Sequence, residues 1–316
     1  METFFKNKNL MELINRWKKH LIIISIISIA IGAFISSPIV ITPKYKSSAI
    51  IYPVNISVYS KESTTEQMLQ VFNSNDIKEK MLNAFNLAYH YKLDKKDTQF
   101  YSSFLSEFKS NVNISKTEYE SVEITVSDEN PKIACNMVDS LIAFFDQKMA
   151  ILHKQKTFEM LKIKSEELQK KKIEVDTLEK KQKKYKIKYG IIDIGLQTKE
   201  LTRGYLNLVN SGKKGSSAAN EIDTILKNFK EIAEEYNHNG GLVYAAQNEY
   251  NAIKNEYEKH FTEYNKNITY SMIVENPFPA DKKSYPIRWI VVAITVITSL
   301  IFSIIVIAVI ESKQKA

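Results

Sequence analysis

Two long apolar segments, residues 21–41 and 290–310, lie near opposite ends of the chain and constrain its fold more than any other feature. Neither segment contains Lys, Arg, Asp or Glu. About 20 apolar residues in a helix cover the ~30 Å hydrocarbon core of a bilayer. The two segments therefore predict two transmembrane helices, with nearly everything else on one side of the membrane.

The basic residues near the two apolar segments and the length of the chain between them predict on which side of the membrane that chain lies. Five Lys or Arg residues stand in residues 6–19 and two in residues 313–315, and such residues are retained in the cytoplasm. A segment as long as 42–289 is translocated largely regardless of its charge. We therefore predict that both termini are cytoplasmic. A cleaved signal peptide is disfavoured because the first apolar stretch is too long and no Ala-x-Ala motif precedes Tyr45.

The net charge of +8 is concentrated in one stretch, residues 162–188, which holds eleven lysines and five acidic residues. An exported position argues against nucleic acid as the partner of this basic stripe. A solvated helix face and a contact with an anionic glycan are the two remaining interpretations. The candidate glycan contacts are Lys180, Lys181, Lys183 and Lys184.

The exported segment begins and ends with strand signals and contains short helices between them. Alternation of apolar and polar residues and the placement of prolines predict three strands, and helical spacing of apolar residues predicts three short helices. Together they predict an α/β base close to the membrane. The strands are 45–52, 122–126 and 268–274, and the helices are 64–72, 76–89 and 98–109.

A much longer helix is predicted from Pro131 to Gly190, because no Gly or Pro interrupts it, and it would reach on the order of 85 Å. The chain then reverses at residues 190–195 and returns as three helices, interrupted at residues 212–217 and again at Gly240 and Gly241. Apolar residues recur every seven positions, which is typical of a coiled coil, although one column is half lysine. The two columns are Leu161, Leu168, Val175, Gln182, Tyr189 and Lys164, Lys171, Leu178, Tyr185.

No motif for catalysis or cofactor binding is present in the sequence. The glycine pair Gly190 and Gly195 lacks the Lys and Ser or Thr of a phosphate loop, the five histidines are scattered, and Cys135 has no partner. We therefore predict a protein that is not an enzyme and that binds no cofactor or metal.

Small residues repeat every four positions in both apolar segments. Such ladders let helix backbones approach closely in lipid, where apolar attraction between helices is weak. They could face each other or a neighbouring subunit, and chance is a rival explanation. The candidate packing residues are Ser28, Gly32, Ser36, Thr295, Ser299 and Ser303.

The sequence resembles the polysaccharide co-polymerase, or chain-length determinant (Wzz-like), family of bacterial inner-membrane proteins. Residues 277–289 carry the most specific likeness, a proline-rich segment with a basic residue before the second span, and residues 126–134 resemble the strand, Asp, Pro and Ala that open the family's long helix. The prolines are fewer than in the best-known members, and none falls inside the apolar run. The motif residues are Pro277, Pro279, Pro286 and Arg288.

The resemblance implies a homo-oligomeric ring in the inner membrane that sets the chain length of O-antigen or a related surface polysaccharide. Its implied partners are a membrane polysaccharide polymerase, a lipid-linked glycan and the bilayer, but not nucleic acid. One alternative is a capsule or exopolysaccharide export co-polymerase with a separate tyrosine autokinase. The other is a two-span sensor, for which the short terminal segments offer little room.

The expected fold class is α+β, with two transmembrane helices flanking a periplasmic domain that has a small membrane-proximal α/β base and a long helical, coiled-coil-like arm. The expected divisions are a cytoplasmic segment 1–20, a span 21–41, the base 42–130, the arm with its return helices 131–265, a base strand and proline-rich segment 266–289, a span 290–310 and a cytoplasmic tail 311–316.

Overall fold

The computed structural model describes residues 7–57 and 61–314, so residues 1–6 and 315–316 of the predicted cytoplasmic segments lie outside it. The chain forms two compact units, one of Met1–Ala150 with Ile268–Ala316 and one of Ile151–Asn267. The helices are α1 (Asn7–Ile35), α2 (Thr64–Phe72), α3 (Asn75–Ala84), α4 (Leu87–His90), α5 (Phe100–Asn111), α6 (Pro131–Tyr189), α7 (Ile194–Asn210), α8 (Ser217–Asn265) and α9 (Arg288–Gln314), and the strands are β1 (Tyr45–Pro53), β2 (Val112–Lys116), β3 (Val122–Asp128) and β4 (Ser271–Glu275).

Among the described residues, two segments are long and apolar enough to cross a membrane, Leu13–Ile35 in α1 and Arg288–Glu311 in α9. The first segment lies earlier in the chain than the predicted 21–41, because α1 ends at Ile35 and residues 36–41 form turns. The cause is Pro38, since a proline disfavours helical geometry in the residue before it. The candidate segment instead begins at Leu13, and Trp17 lies among the polar residues at its start.

The four strands form one antiparallel sheet in the order β2-β3-β1-β4. Strand β1 therefore lies between β3 and β4, with Ser47 opposite Val126 and Ile51 opposite Ile273. The predicted pairing of the strands that adjoin the two spans is confirmed. Strand β4 is shorter than predicted and lies at the sheet edge, where Met272 and Val274 are exposed rather than half-buried.

Short helices and the first part of α6 cover one face of this sheet and form the core of the base. Phe72 on α2 stacks on Phe145 of α6, with ring centroids 4.5 Å apart, and both side chains are buried. The capping box of Ser63 and Glu66 fixes the start of α2 where the sequence predicts it. The predicted helix 76–89 is wrong in its middle, because it breaks at Phe85 and Asn86, the latter with a left-handed backbone.

The second unit is the helical arm, formed by the later part of α6 with α7 and α8. A cluster of buried apolar side chains, Ile191, Phe229, Ile232 and Tyr236, joins the three helices where the chain reverses. The predicted break at Gly240 and Gly241 is wrong, because α8 continues through both. Each glycine costs about 1 kcal/mol of helix propensity, and the hydrogen bonds of the adjacent Asn239 to Leu178 and Gln182 of α6 act against this cost.

Candidate functional site: the paired terminal helices and the segment that enters the second

The small residues of α1 and α9 bring the two helices into contact in an antiparallel pair. The Ser28 hydroxyl donates to the Ser299 hydroxyl at 2.6 Å. Gly32 lies against α9 so closely that an added Cβ would be 2.3 Å from Thr295 Oγ1 and 3.0 Å from the Cα of Val292. The backbones can approach this closely only because Gly32 has no side chain. Four of the six candidate packing residues therefore meet across one seam.

The other two candidates, Ser36 and Ser303, bond within their own helices. The Ser36 hydroxyl donates to the Ala33 carbonyl at 3.1 Å, and the Ser303 hydroxyl donates to the Ser299 carbonyl at 2.7 Å. Ser36 is buried, whereas Ser303 is half-buried. The seam is therefore closest between residues 28 and 32 of α1.

A polar clamp closes the end of the pair nearest the chain termini. One Glu311 carboxylate oxygen accepts hydrogen bonds from Arg16 at 3.1 Å and from the Trp17 indole at 3.2 Å. The Glu311 side chain is only 9% exposed, so its charge depends on these partners for compensation. An apolar cluster of Leu13, Leu21 and Ile307 lies beside it. Sequence reasoning missed this clamp, because no periodic pattern links residues so far apart.

The proline segment connects the sheet to α9 and is bound to the residues that follow α1. Lys44 and Tyr285 form an isolated antiparallel bridge, and Ser284 also donates to the Lys44 carbonyl at 2.8 Å. The Ser47 hydroxyl donates to the Phe278 carbonyl at 2.9 Å. Of the predicted motif residues, Pro286 is buried, Pro277 is half-buried, and Pro279 and Arg288 are exposed. The Tyr285–Pro286 peptide bond is cis.

Beside Arg288, at the same end of the helix pair, lies an apolar groove of about 610 Å³ between α1 and α9. Ile29, Ala33 and Ser36 line one side, and Arg288, Trp289 and residues of the next two turns of α9 line the other. Such a groove combines an apolar interior with one guanidinium at its rim.

A small polar cavity of about 150 Å³ lies in the base, at the end of strand β3. His90 Nε2 lies 2.6 Å from a buried carboxylate oxygen of Asp128, and Lys44 Nζ donates to Asn111 at 2.6 Å. Burial, together with the Asp128 carboxylate, raises the pKa of Tyr91 far above its ordinary range. The backbone of Lys44 also pairs with Tyr285, so this residue links the cavity in the base to the proline segment. The sequence offered no signal for it beyond Asp128 before the long helix.

In the arm, the lysine column of α6 pairs with glutamates on α8. Lys164 Nζ lies 2.8 Å from Glu256, and Lys171 Nζ lies 2.6 Å from Glu249. Hydrogen bonds to these and to neighbouring carboxylates raise the pKa of both lysines. The two pairs are seven residues apart on each helix, as in an antiparallel coiled coil.

The same antiparallel register continues towards the turn. The Asn239 side-chain amide donates to the Leu178 carbonyl at 3.1 Å and to Gln182 Oε1 at 2.7 Å, and the Tyr185 hydroxyl donates to Glu235. Each member of the column that contains Lys164 and Lys171 thus has a partner on α8. The column that is half lysine in the sequence therefore has its ion-pair and hydrogen-bond partners on the returning helix, α8.

The four candidate glycan contacts are all exposed on α6. Lys181 pairs with Glu235 at 3.1 Å and lies over the Tyr185 ring. Lys180, Lys183 and Lys184 project from the same stretch of helix. The structure therefore places these four lysines together on the arm surface.

Paired terminal helices, a four-stranded base and a long helical arm define a class of protein. This is the fold of the polysaccharide co-polymerases, since a full-length bacterial polysaccharide co-polymerase matches 98% of this chain and 99% of its own, with a TM-score of 0.50 and 12% identity. Residues 8–87 match the family model of the chain length determinant protein, Wzz. The resemblance seen in the sequence is confirmed.

Two further solved structures share less of the geometry. The wild-type lipopolysaccharide O-antigen chain-length regulator of Shigella flexneri matches 76% of this chain and 100% of its own at 9% identity, with a TM-score of 0.32. A fragment of WzzB, a polysaccharide co-polymerase from Salmonella Typhimurium, matches 77% of this chain and 100% of its own at 10% identity, with a TM-score of 0.28. No curated protein matches the sequence.

Proposed function

We propose that this protein regulates the chain length of a surface polysaccharide, O-antigen or a related glycan, as an oligomeric scaffold in the bacterial inner membrane. The observation that carries the proposal is the family match over residues 8–87, which includes α1 and the start of the base. In this proposal both termini are cytoplasmic, the base and arm are periplasmic, and the chain performs no catalysis itself.

The terminal helices give this scaffold a surface for a membrane polymerase. Their seam buries Ser28, Gly32 and Ser36, while large apolar side chains such as Ile26 and Ile301 face outward. Outward apolar side chains contact either lipid or the helices of another membrane protein. The polymerase would bind here, and the assembly geometry of the ring would determine when extension of the lipid-linked glycan stops.

The test is a gel of surface polysaccharide from a deletion strain and from the same strain with the gene restored. We expect a clustered length distribution that becomes an unregulated spread on deletion and recovers on complementation. A chain carrying Glu311→Ala and Gly32→Ile, in which the helix pair is disrupted, is the negative control for complementation. Its abundance in the membrane must equal that of the native chain.

Three other outcomes would favour the alternatives over the proposal. Total loss of exported polymer on deletion would indicate a role in export, and loss of phosphotyrosine in the same strain would indicate a separate tyrosine autokinase as partner. An unchanged length distribution with altered gene expression would instead indicate a two-span sensor.

A further inference from the structure

The polar cavity in the base has a buried floor and an exposed rim. It lies wholly within the first unit and has a volume of about 150 Å³. Asn111 and Asp128 are buried and form its floor, whereas Lys92, Glu107 and Glu129 are exposed and form its rim. An apolar cavity of roughly 150 Å³ binds benzene, so a six-membered ring fits a volume of this size. The other lining residues are Lys44, His90, Tyr91 and Ser127.

The charges that line this cavity nearly cancel. The lining holds two lysines and three carboxylates, namely Lys44 and Lys92 with Glu107, Asp128 and Glu129. His90, whose Nε2 lies 2.6 Å from Asp128, adds one positive charge when it is protonated. Among the residues that the structure describes, no group of His, Cys, Asp or Glu is placed to hold a metal ion. Balanced charge favours a neutral polar ligand over an anion or a cation.

The floor of the cavity has hydrogen-bonding capacity that the described residues do not use. The Tyr91 hydroxyl oxygen is buried, and no described residue accepts its proton. Burial, and then the Asp128 carboxylate, raises the pKa of Tyr91, so the hydroxyl stays a donor at neutral pH. Lys44 Nζ donates to Asn111 at 2.6 Å and has two further protons. Each Asp128 oxygen accepts one hydrogen bond and has a second lone pair.

This mixture of donors and acceptors matches a ring that carries several hydroxyl groups. A hydroxyl donates one proton and accepts through two lone pairs, so it can bind to either kind of group. An anion offers only acceptors and an ammonium group only donors, and each would leave part of the floor unsatisfied at a cost in free energy. Ring size, neutral charge and mixed hydrogen bonding therefore indicate one class of ligand, a pyranose sugar.

We propose that this cavity binds one neutral sugar residue of the surface glycan, whose hydroxyls contact Tyr91, Asp128 and Lys44. The choice of a glycan sugar among neutral, hydroxyl-rich molecules rests on the proposed function. The site is distinct from the candidate glycan contacts at residues 180–184, which belong to the other unit. Because the backbone of Lys44 pairs with Tyr285, the bound sugar contacts a residue that is joined to the segment before α9.

The test is saturation-transfer NMR of the full-length chain, purified in a detergent that has no sugar head group. The probes are the oligosaccharide repeat released by hydrolysis from the surface polysaccharide of the same strain, the same repeat with its hydroxyls methylated, glycerol and inorganic phosphate. We expect the native repeat to bind at least about tenfold more tightly than the methylated one, because a site built around hydroxyls rejects an analogue that lacks them.

Three results would overturn the proposal. Absence of binding by the native repeat would exclude the sugar, and displacement of the repeat by inorganic phosphate would show an anion site. Binding of glycerol as tight as that of the repeat would show an adventitious site for any small polyol.

Two variants locate the site, and each has a matched control. Tyr91→Phe removes only the hydroxyl and should weaken binding about fivefold, while the melting temperature of the free chain does not fall, because that hydroxyl has no acceptor. Tyr89→Phe, at a residue that is 83% exposed, should change neither value. Ser127→Phe fills the cavity and should abolish binding, whereas Ser102→Phe, at an exposed position of α5, should not. Native binding by Tyr91→Phe or by Ser127→Phe, as expected of a cavity that holds only water, would overturn the proposal.

Failure of this inference and failure of the proposed function give different results. A deletion strain that loses length control, together with a purified chain that does not bind the repeat, would overturn the sugar site alone. Specific binding of the repeat by a chain whose deletion leaves the glycan unchanged would overturn the proposed function alone.

Discussion

Lys171 of α6 and Glu249 of α8 lie 2.6 Å apart in a column that would otherwise be apolar in a coiled coil. The same lysine also pairs with Glu174 at 2.8 Å on its own helix. The position therefore holds a small network rather than a single surface pair. Networks of this kind align two helices in register more than they add stability, since both glutamates are exposed.

Charge reversal at Lys171 tests that register. Lys171→Glu should lower the melting temperature of the arm, and adding Glu249→Lys should restore part of the loss, because Glu174 still faces a carboxylate at position 171. Circular dichroism melts of the full chain in detergent, arranged as a double-mutant cycle, measure the coupling. Lys172→Glu, at an exposed position beside it, is the control, and equal losses at both positions would contradict the pairing.

Gly32→Ile should separate the terminal helices, because its side chain would overlap Thr295 and the backbone at Val292. Cysteines introduced at Ser28 and Ser299, in a chain with Cys135→Ser, report the distance by oxidative cross-linking. We expect Gly32→Ile to reduce the cross-linking yield at least about twofold, as close packing of small residues is lost. Ala30→Ile, on the exposed face of α1, should leave the yield unchanged. Equal yields in the two variants would disprove the seam.

Asp128→Ala should destabilise the base by about 2 kcal/mol, because it removes the partner of His90 and the acceptor for the Asn130 backbone amide. Urea unfolding of the detergent-solubilised chain, followed by near-ultraviolet circular dichroism, measures the change. The exposed neighbour Glu129→Ala should change stability by less than about 0.5 kcal/mol. A similar small effect at Asp128 would mean that the His90 contact contributes nothing to folding.

Acid should weaken the arm through Glu235. Hydrogen bonds from the Tyr185 hydroxyl and then from Lys181 lower the pKa of Glu235 below its ordinary 4.5. A lowered carboxyl pKa stabilises the folded state fully above the unfolded pKa, and this stabilisation is lost as the pH falls through the folded pKa. The effect is small because the groups are exposed.

The melting temperature of the native chain should therefore fall between pH 6 and pH 3 slightly more than that of Glu235→Gln. Glu234→Gln, at the exposed neighbouring position, should keep the native pH dependence. If both variants show the same pH dependence, the Tyr185 contact does not shift the titration of Glu235.

Neutralising Lys180, Lys181, Lys183 and Lys184 to glutamine tests the candidate glycan contact. If these lysines bind glycan, the modal length of the surface polysaccharide should shift while the oligomer, measured by chemical cross-linking, persists. Four exposed lysines of the arm outside the basic stripe, Lys154, Lys199, Lys230 and Lys259, provide the matched control. An unchanged gel with an intact oligomer would remove the glycan contact from the proposed mechanism.

Much of the fold could be predicted from local pattern. Strands β1 and β3 and helices α2, α6 and α7 begin or end within two residues of their predicted limits, because prolines, capping residues and apolar periodicity act over a few residues. Strand β2 was missed, since Val112 and Ile114 are its only apolar residues and the strand continues directly from α5.

The remaining errors of the sequence-based prediction arise where contacts between residues distant in the sequence determine the structure. Gly240 and Gly241 break a helix by propensity alone, but Asn239 is bonded to α6 and holds the helix there. The clamp of Arg16 and Trp17 on Glu311 and the cavity around Asp128 join residues that no periodic pattern relates. Each contact depends on the fold as a whole, so a single sequence carries no local sign of it.

The bridge between Lys44 and Tyr285 has a mechanical consequence. Helix α1 leads through Lys44 into β1, and β4 leads through Tyr285 into α9, while β1 and β4 are themselves paired. Helices α1 and α9 and strands β1 and β4 thus form a closed loop of chain. Hydrogen bonds cross this loop at the Lys44–Tyr285 bridge and between β1 and β4. If both helices cross the bilayer as proposed, a change in their tilt would be transmitted through Lys44 and Tyr285 to the paired strands β1 and β4.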